Sequence, residues 1–265
     1  MIKKVLLNTV FLAIAFSATG QTHNCDVYRG YLSGEMAIWS KGIADQEAKY
    51  LRSGSNDDLY VLILSKYGYI GYLISMKREG EARGIISSAE QNIEKMAADP
   101  DYAARASALS GALIAMRISL NPIRATYLGM RSFRQIEESL KLDQNEPTGW
   151  VEMGNARYHM PAIFGGSFSE AASSFSQAVM LFEKEPSLLR CNWHYLHALV
   201  WLAKSYESMD KLQEANEIYG KLLRLEPEFQ WVKTELYPEL LKKIGTTDTH
   251  PTFSLPDNWN QTFLK

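Results

Sequence analysis

Residues 196–229, LHALVWLAKSYESMDKLQEANEIYGKLLRLEPEF, decide the fold class. Their apolar and small side chains recur at steps of three and four, the spacing of one face of an α-helix. Met209-Asp210-Lys211 interrupts this pattern with turn residues, and Pro227 ends it because proline cannot continue a helix. The stretch therefore predicts two short helices joined by a tight turn.

The same pattern extends toward the N-terminus. Helical spacing of apolar residues occupies the segments 59–76, 102–120, 123–142, 169–184, 194–208 and 211–225. Prolines separate these segments, and Pro147, Pro186 and Pro227 are 39 and 41 residues apart. A period near 40 residues with two helices per unit is typical of a helical repeat array. The strict apolar–polar alternation of a half-buried strand is not found, so we expect an all-α protein with no sheet.

The stretch 196–229 resembles the 34-residue tetratricopeptide repeat (TPR). The agreement lies in Leu202, Ala203, Tyr206, Ala215, Tyr219 and Pro227. Leu199 and Leu222 depart from it, because Trp and Ala are commonest at those positions. The resemblance implies an array of antiparallel helix pairs that forms a right-handed solenoid over residues 21–244.

Two further units follow the repeat less regularly. The unit before residue 196 has Trp150, Met153 and Gly154 in its first helix and Ala171, Phe175 and Ala178 in its second. Upstream, Ala82, Ile86 and Ala89 repeat the second-helix spacing after a predicted turn at Glu79-Gly80. We expect Gly68 and Gly71, inside a helical segment, to mark close approaches between helices.

An insertion distinguishes the unit at 147–184. Residues 159–166, HMPAIFGG, make the connection five residues longer than the repeat allows. The apolar residues Met160, Ala162, Ile163 and Phe164 are expected to be buried, either over a neighbouring helix or as the roof of a pocket. Pro161-Ala162-x-x-Gly165-Gly166 followed by Ala171-x-x-x-Phe175 also resembles the periplasmic T-component of TRAP transporters. That resemblance implies a hydrophobic small-molecule ligand.

The TPR resemblance also implies a binding surface. In that family the first helices of successive units line a concave groove through defined positions. In this chain those positions hold Asn155, Tyr158, His159, His197, Lys204 and Glu207. With Met160 and Phe164 from the insertion, they form the candidate binding groove. The alternative interpretation, a solvent-exposed helix face without a ligand, remains open.

Motifs for catalysis are not found, and we expect a protein that is not an enzyme. The segment Gly165-Gly166-Ser167-Phe168-Ser169 lacks the last glycine of a nucleophile elbow, and no glycine-rich phosphate loop occurs. Cys191, His194 and His197 have the helical spacing of a soft-metal site, but no fourth ligand is evident. We therefore expect neither a cofactor nor a bound metal.

The N-terminus predicts export. Lys3 and Lys4 precede the apolar residues 5–16, and Ala18-Thr19-Gly20 provides small residues for cleavage before Gln21. We expect a signal peptide over residues 1–20, a periplasmic or secreted location and no membrane span in the mature protein. Without residues 1–20 the net charge changes from −2 to 26 − 30 = −4, which argues against nucleic acid as a partner.

The sequence gives weaker indications for the two cysteines and for the C-terminal residues. Cys25 and Cys191 are the two cysteines, and they could pair in an oxidising compartment. Because Cys25 lies in an N-terminal segment expected to be flexible, we expect them not to pair. Residues 245–265 contain breaker residues and scattered aromatics, which predicts an irregular tail.

Together these features predict a binding module rather than a catalyst. The principal hypothesis is an exported scaffold that binds a protein or a peptide through its concave face. The alternative is a binding protein for a small hydrophobic molecule, with a pocket formed partly by the insertion.

Overall fold

A computed structural model describes residues 24–245 of the chain. The predicted signal peptide lies outside these residues, and so does the predicted tail after Gly245. Within the described range the structure contains eleven α-helices and no strand, which confirms the all-α prediction.

The helices follow one another with short connections. They are α1 Cys25–Ser33, α2 Met36–Ser53, α3 Asn56–Ser75, α4 Glu79–Met96, α5 Ala103–Ser119, α6 Ala125–Leu142, α7 Pro147–His159, α8 Phe168–Lys184, α9 Trp193–Ser208, α10 Leu212–Leu225 and α11 Tyr237–Ile244. Short 3₁₀ turns begin at Pro100, Pro122, Ala162 and Pro186, and a π-helical turn, Val232–Leu236, leads into α11. The predicted segments agree with these bounds to within about three residues. One turn is misplaced, because α4 already begins at Glu79 and the turn lies at residues 76–78.

Each helix packs against the next one, as expected for antiparallel pairs. Helices α3, α5, α7 and α9 also contact one another in sequence and form an inner layer, while α4, α6, α8 and α10 lie outside them. This arrangement has two edges. We call the one that holds the turns after the inner helices, residues 76–78, 120–124, 160–167 and 209–211, the hairpin edge. The opposite edge holds the turns before the inner helices, residues 54–55, 97–102, 143–146 and 185–192.

Small residues allow the paired helices to approach. A Cβ on Gly154 would lie 2.7 Å from the Phe175 ring, so only glycine fits where α7 crosses α8. In the last pair Ala203, Ala215 and Tyr219 are fully buried, as are Ala82, Ile86 and Ala89 in α4. Most of the repeat positions read from the sequence therefore form the core. Tyr206 and Trp150 are only half-buried, and Pro227 is exposed.

The N-terminal helices pack back against the C-terminal part of the array, at α9 and the residues after α10. Cys25 at the start of α1 forms a disulfide with Cys191 before α9, so the expectation of unpaired cysteines is wrong. The Tyr28 hydroxyl donates a hydrogen bond of 2.5 Å to Glu226, and the Tyr31 ring lies 5.1 Å from Phe229. Because α1 packs against α9, the N-terminal segment belongs to the core of the fold rather than to a flexible arm.

Tryptophan side chains fill the space between α1, α2, α3 and the start of α9, which we call the closed region. The Trp39 and Trp193 ring centroids are 5.1 Å apart, and the Trp39 Nε1 donates to the Ser65 carbonyl oxygen at 2.9 Å. A Cβ on Gly68 would lie 2.4 Å from Trp39 and 2.9 Å from Trp193, which confirms Gly68 as a close-packing point. At Gly71 the nearest atom, on Met116, would be 3.9 Å away, so that prediction is wrong.

The insertion is not buried. Ile163 is 85% exposed and Phe164 is 69% exposed, although both were expected to pack against the protein. The loop is held by its backbone instead: the Arg157 guanidinium donates to the Gly165 carbonyl oxygen, and Ser167 N–H donates to the Arg157 carbonyl oxygen. A side chain on Gly166 would collide with the Met160 carbonyl group, so this glycine fixes the turn. Between residues 24 and 245, the chain has no helix that combines the length and the apolar character of a membrane span.

Candidate functional site

The polar and aromatic side chains of the concave face come from two inner helices. In α7, Glu152, Asn155 and His159 lie on one face at steps of three and four, and α9 presents His194, His197, Trp201 and Lys204 in the same way. The rings of α9 form a continuous row: centroids are 5.3 Å apart for Trp193 and His194, 6.1 Å for His194 and His197, and 5.9 Å for His197 and Trp201. This row runs from the closed region to the surface.

The inner end of the row is a buried polar cluster. Glu152 is 2% exposed and His194 is 0% exposed, and their Oε1 and Nε2 atoms are 3.6 Å apart, which is ion-pair range but longer than a hydrogen bond. The other Glu152 oxygen accepts from the Tyr67 hydroxyl at 2.9 Å and from Asn155 Nδ2 at 3.1 Å. Desolvation, followed by the Glu152 charge, raises the pKa of Tyr67 well above its usual value.

Several polar atoms of this region have no hydrogen-bond partner among the described residues. They are Glu152 Oε1, both ring nitrogens of His194, His197 Nε2 and Trp201 Nε1. A buried polar atom without a partner costs about 1–3 kcal/mol, so such atoms are few in folded proteins. Their concentration along one row of α7 and α9 marks this face as different from the rest of the core.

The outer end of the row reaches the surface as an aromatic ledge, which we define as Tyr158, His159, Phe168, Trp201 and Lys204. The Trp201 ring lies 4.8 Å from both Tyr158 and His159, and Phe168 lies 5.2 Å from Tyr158. The Lys204 ammonium is 5.6 Å from the Trp201 centroid, within the range of a cation–π contact. His159 and Phe168 are exposed and the other three are half-buried, so a partner can reach the ledge directly.

Two imidazoles of this face, those of His197 and His159, are held neutral. Burial lowers the pKa of His197 well below its usual value, and the neighbouring His194 and His159 lower it further. The pKa of His159 is also lowered, first by desolvation against its aromatic neighbours and then by the Lys204 charge. At neutral pH both rings therefore present an uncharged nitrogen.

The structure separates the candidate groove residues into four groups. Tyr158, His159 and Lys204 lie on the ledge, whereas Asn155 and His197 belong to the inner part of the row. Met160 ends α7 and Phe164 lies on the hairpin edge. Glu207 faces the C-terminal helices, because its oxygens accept from the Tyr219 hydroxyl and from Lys243 Nζ.

Three residues of this face were not identified from the sequence. Tyr67, Glu152 and Trp201 are not among the predicted groove residues, although Glu152 and Trp201 lie one helical turn from Asn155 and His197. A search for polar and aromatic residues on the predicted inner faces of α7 and α9 would have found these two. Tyr67 carries no such signal, because it comes from a distant helix.

The open spaces of the protein lie elsewhere. A cavity of about 30 Å³, room for one water molecule, lies beside Cys191, Trp193 and Tyr60 at the opposite edge. A shallow depression of about 380 Å³ lies between α8 and the turn at 209–211 and is lined by Ser173, Gln177 and Lys211 among others. Neither includes the buried polar cluster or Trp201.

The suggested metal set is not available. The Cys191 sulfur is committed to the disulfide, which leaves His194 and His197 without their third ligand. No group of three or more metal-ligating side chains is found within residues 24–245.

Two solved structures are similar to this chain. The HusA haemophore from Porphyromonas gingivalis superposes with a TM-score of 0.53 and 17% identity, over 71% of this chain and 94% of that one. A thermophilic TPR protein of Thermus thermophilus gives a TM-score of 0.52 and 16% identity, over 82% of this chain and 97% of that one. At these identities the likeness shows the fold, and it confirms a TPR-like helical array. No family model matches the chain, and no curated protein matches it either.

Proposed function

We propose that this protein is an exported, non-catalytic binding module whose aromatic ledge binds a protein or peptide segment. The observation that carries the proposal is the row of rings on α9, which is buried at its inner end and reaches the surface at Trp201, next to Tyr158 and His159 of α7. Aromatic side chains that combine an apolar body with a polar tip are typical of binding hot spots. A partner segment that places an apolar side chain on the ledge would exclude water from these rings.

The partner surface is small and defined. The closed region occupies the inner part of the concave face, so an extended peptide cannot run along its whole length as in an open TPR groove. We therefore expect recognition of a short segment, with Lys204 available for a carboxylate of the partner. An acidic group of the partner could pair with the Lys204 ammonium. The Glu152 carboxylate is buried and would not contact the partner.

A flat hydrophobic small molecule, such as a haem, is the second candidate. Two observations favour it: the exposed His159 has a neutral imidazole next to Trp201 and Tyr158, and the fold is similar to that of a haemophore. A neutral imidazole is the form that ligates iron. The resemblance to the T-component of TRAP transporters has no counterpart among the similar structures, so that family adds no support.

Export is part of the same proposal. The basic and apolar start of the sequence supports it, and so does the Cys25–Cys191 disulfide, because such bonds persist mainly in oxidising compartments. N-terminal sequencing of the protein from the cell envelope should give Gln21 as its first residue. An intact Met1 on that protein would contradict cleavage.

Catalysis is not proposed, although Glu152, His194 and Tyr67 are the residue types of an acid–base site. A substrate must stand within hydrogen-bond reach of such groups. Here they are 2%, 0% and 7% exposed, and neither the small cavity nor the shallow depression borders on them. Their position suits a structural role in the closed region.

Site-specific photo-crosslinking in cells tests the proposal. A benzophenone amino acid at His159 should capture a protein partner, whereas the same group at Met180, an exposed residue of α8 away from the ledge, should not. Equal crosslinking from both positions would contradict the assignment of the ledge.

A titration of the purified protein with haem decides the second candidate. A Soret shift that saturates in the wild type and disappears in His159→Ala would favour the small molecule over the protein partner. No shift in either protein would remove the haem candidate and leave the peptide proposal in place.

A further inference from the structure

The exposed apolar side chains are concentrated on the hairpin edge. Six large ones lie there: Met76, Ile123, Tyr127, Met130, Ile163 and Phe164, with exposed fractions between 56% and 88%. They belong to three successive hairpins, α3–α4, α5–α6 and α7–α8. The opposite edge has only three comparable side chains among the described residues, Leu51, Leu142 and Leu225.

The middle hairpin is exposed at its turn. Residues 122–127 are all exposed, so the turn and the first residues of α6 face solvent. Ile123, Tyr127 and Met130 follow at steps of four and three and form one apolar stripe on this exposed helix end. Folding alone gives no reason to place Ile and Met in water at these positions.

Arg157 connects this stripe to the next hairpin. Its guanidinium lies 4.8 Å from the Phe133 ring, which is one helical turn from Met130. The same side chain donates to the Gly165 carbonyl oxygen and pairs with Glu170 at 2.9 Å. Arg157 therefore places the α7–α8 turn, which carries Ile163 and Phe164 directly before Gly165, on the same side of the array as Phe133 of α6.

The charge of this edge is positive although the whole chain is slightly acidic. Residues 117–134, from the end of α5 to the middle of α6, contain four arginines and no Asp or Glu. Arg117 pairs with Glu90, but no carboxylate within residues 24–245 pairs with Arg124 or Arg131. These two arginines flank the apolar stripe. At the α3–α4 hairpin the acids Glu79 and Glu81 are matched by Arg83 and Arg78, which leaves Lys77 as the excess charge.

We propose that the hairpin edge docks on a membrane surface that carries anionic phospholipids. The exposed apolar side chains would enter the interface between headgroups and acyl chains, and Arg124, Arg131 and Lys77 would contact lipid phosphates. An amphipathic surface with cationic residues beside an apolar stripe is the pattern of interfacial binding. Arginine suits this position because its apolar stem can lie along the interface while the guanidinium stays with the phosphates.

The geometry favours a lipid surface over a protein partner. The contributing side chains lie at the tips of successive turns along one edge, so they project in the same direction instead of lining a groove. The enclosed cavity lies at the opposite edge, and the shallow depression is lined by side chains of α8 and of α9–α10 that do not belong to this apolar set. A projecting row with separated tips matches a fluid planar surface, which can adapt to it.

Vesicle binding of the mature protein, purified after export, tests this inference. We expect sedimentation with vesicles of phosphatidylcholine and phosphatidylglycerol, weak binding to phosphatidylcholine alone, and release by salt. Arg124→Gln/Arg131→Gln should weaken binding by about fivefold for each arginine, since one basic residue near an anionic surface contributes about 1 kcal/mol. Ile123→Ser/Tyr127→Ser/Met130→Ser should weaken it by about tenfold or more.

Matched variants on the opposite edge serve as controls. Leu51→Ser/Leu142→Ser/Leu225→Ser removes three exposed apolar side chains, and Arg52→Gln/Lys95→Gln removes two exposed charges; both proteins should bind like the wild type. Thermal unfolding of every variant checks that folding is intact, which is expected because all the changed side chains are exposed. Binding that is equal on neutral and anionic vesicles, or lost equally in the controls, would overturn the proposal. It would also be overturned if wild-type protein does not bind and sedimentation velocity shows that the apolar triple variant dissociates a dimer, because the occupant is then a second copy of the chain.

Discussion

The two ends of helix α9 lie on the same concave face but in opposite environments. At its start Trp193 and His194 are 5% and 0% exposed, because Tyr31, Trp39 and Tyr67 from α1, α2 and α3 pack on them. Two turns later Trp201 is half-buried, and its neighbour His159 is exposed. The repeat pattern is the same at both ends, so repeat position does not decide which residues are available to a partner.

The protein's own N-terminal helices occupy the inner part of its groove. A helical repeat buries apolar surface mainly on its neighbours and leaves the inner face free. Here α1 and α2 cover the inner end of that face, and the disulfide and Tyr28–Glu226 hydrogen bond fix them there. The ledge is the part of the concave face that α1 and α2 leave uncovered.

Removal of the central tryptophan should have the largest effect. Trp39 is 2% exposed and fills the space between α2, α3 and α9, so Trp39→Ala should cost about 3–5 kcal/mol of unfolding free energy. Leu51 lies in the same helix and is 76% exposed, and Leu51→Ala should change stability by less than about 0.5 kcal/mol. Urea denaturation of both variants measures this difference, and similar losses would mean that the region around Trp39 is not closed.

Loss of the disulfide should have the next largest effect. The bond joins residues 166 positions apart, so it restricts the unfolded chain strongly, and Cys25→Ser/Cys191→Ser should cost about 2–4 kcal/mol. Wild-type protein under reducing conditions should show the same loss. If reduction changes nothing, the closure does not depend on this bond.

Alanine substitutions at two glycines should change the stability of the protein in opposite directions. Gly68→Ala places a methyl group against two buried tryptophan rings and should destabilise the protein by about 1–3 kcal/mol. Gly84, in the exposed middle of α4, has open space around it, and Gly84→Ala should stabilise by up to about 1 kcal/mol through helix propensity. Melting temperatures that move in the same direction would contradict the close approach at Gly68.

The smallest expected effect is the pH dependence of stability that His197 causes. The pKa of His197 is lower in the folded protein than in the unfolded chain, so the unfolded state binds more protons in the range between the two values. Stability should therefore be greatest near pH 7 and decline as the pH falls through the unfolded value of about 6.5. Urea midpoints at several pH values measure this slope, and His197→Gln should reduce it while His159→Gln, at the exposed end, should reduce it less. An unchanged slope in His197→Gln would show that His197 is not buried in its neutral form.

Local sequence rules predicted the repeats but not the packing of α1 and α2 against α9. Helix bounds, the small residues at Ala203 and Ala215, and the proline punctuation all follow from short-range spacing, and the structure agrees with them. The pairing of Cys25 with Cys191 and the meeting of Trp39 with Trp193 join residues more than 150 positions apart. Nothing in the local pattern of either partner specifies the other.

The candidate site was predicted only in part for the same reason. The ledge residues Tyr158, His159 and Lys204 follow from the groove positions of the repeat. Asn155 was expected in the same groove, but it is half-buried and its side chain donates to the Tyr67 hydroxyl of α3 and to Glu152. The apolar insertion was expected to be buried because exposed Ile and Phe are costly in water, yet it lies on the hairpin edge, where a lipid surface would bury it.

Histidine footprinting with diethylpyrocarbonate tests the central claim most directly, because this reagent modifies accessible, neutral imidazoles. At neutral pH the native protein should be modified readily at His159 and more slowly at the half-buried His197, while the fully buried His194 should remain unmodified until the protein is unfolded. Mass spectrometry of peptides from 150–165 and 190–205 distinguishes the three sites. Modification of His194 and His197 at the rate of His159 would show that the whole concave face is open, and it would contradict a groove whose inner half is filled by the protein's own N-terminus.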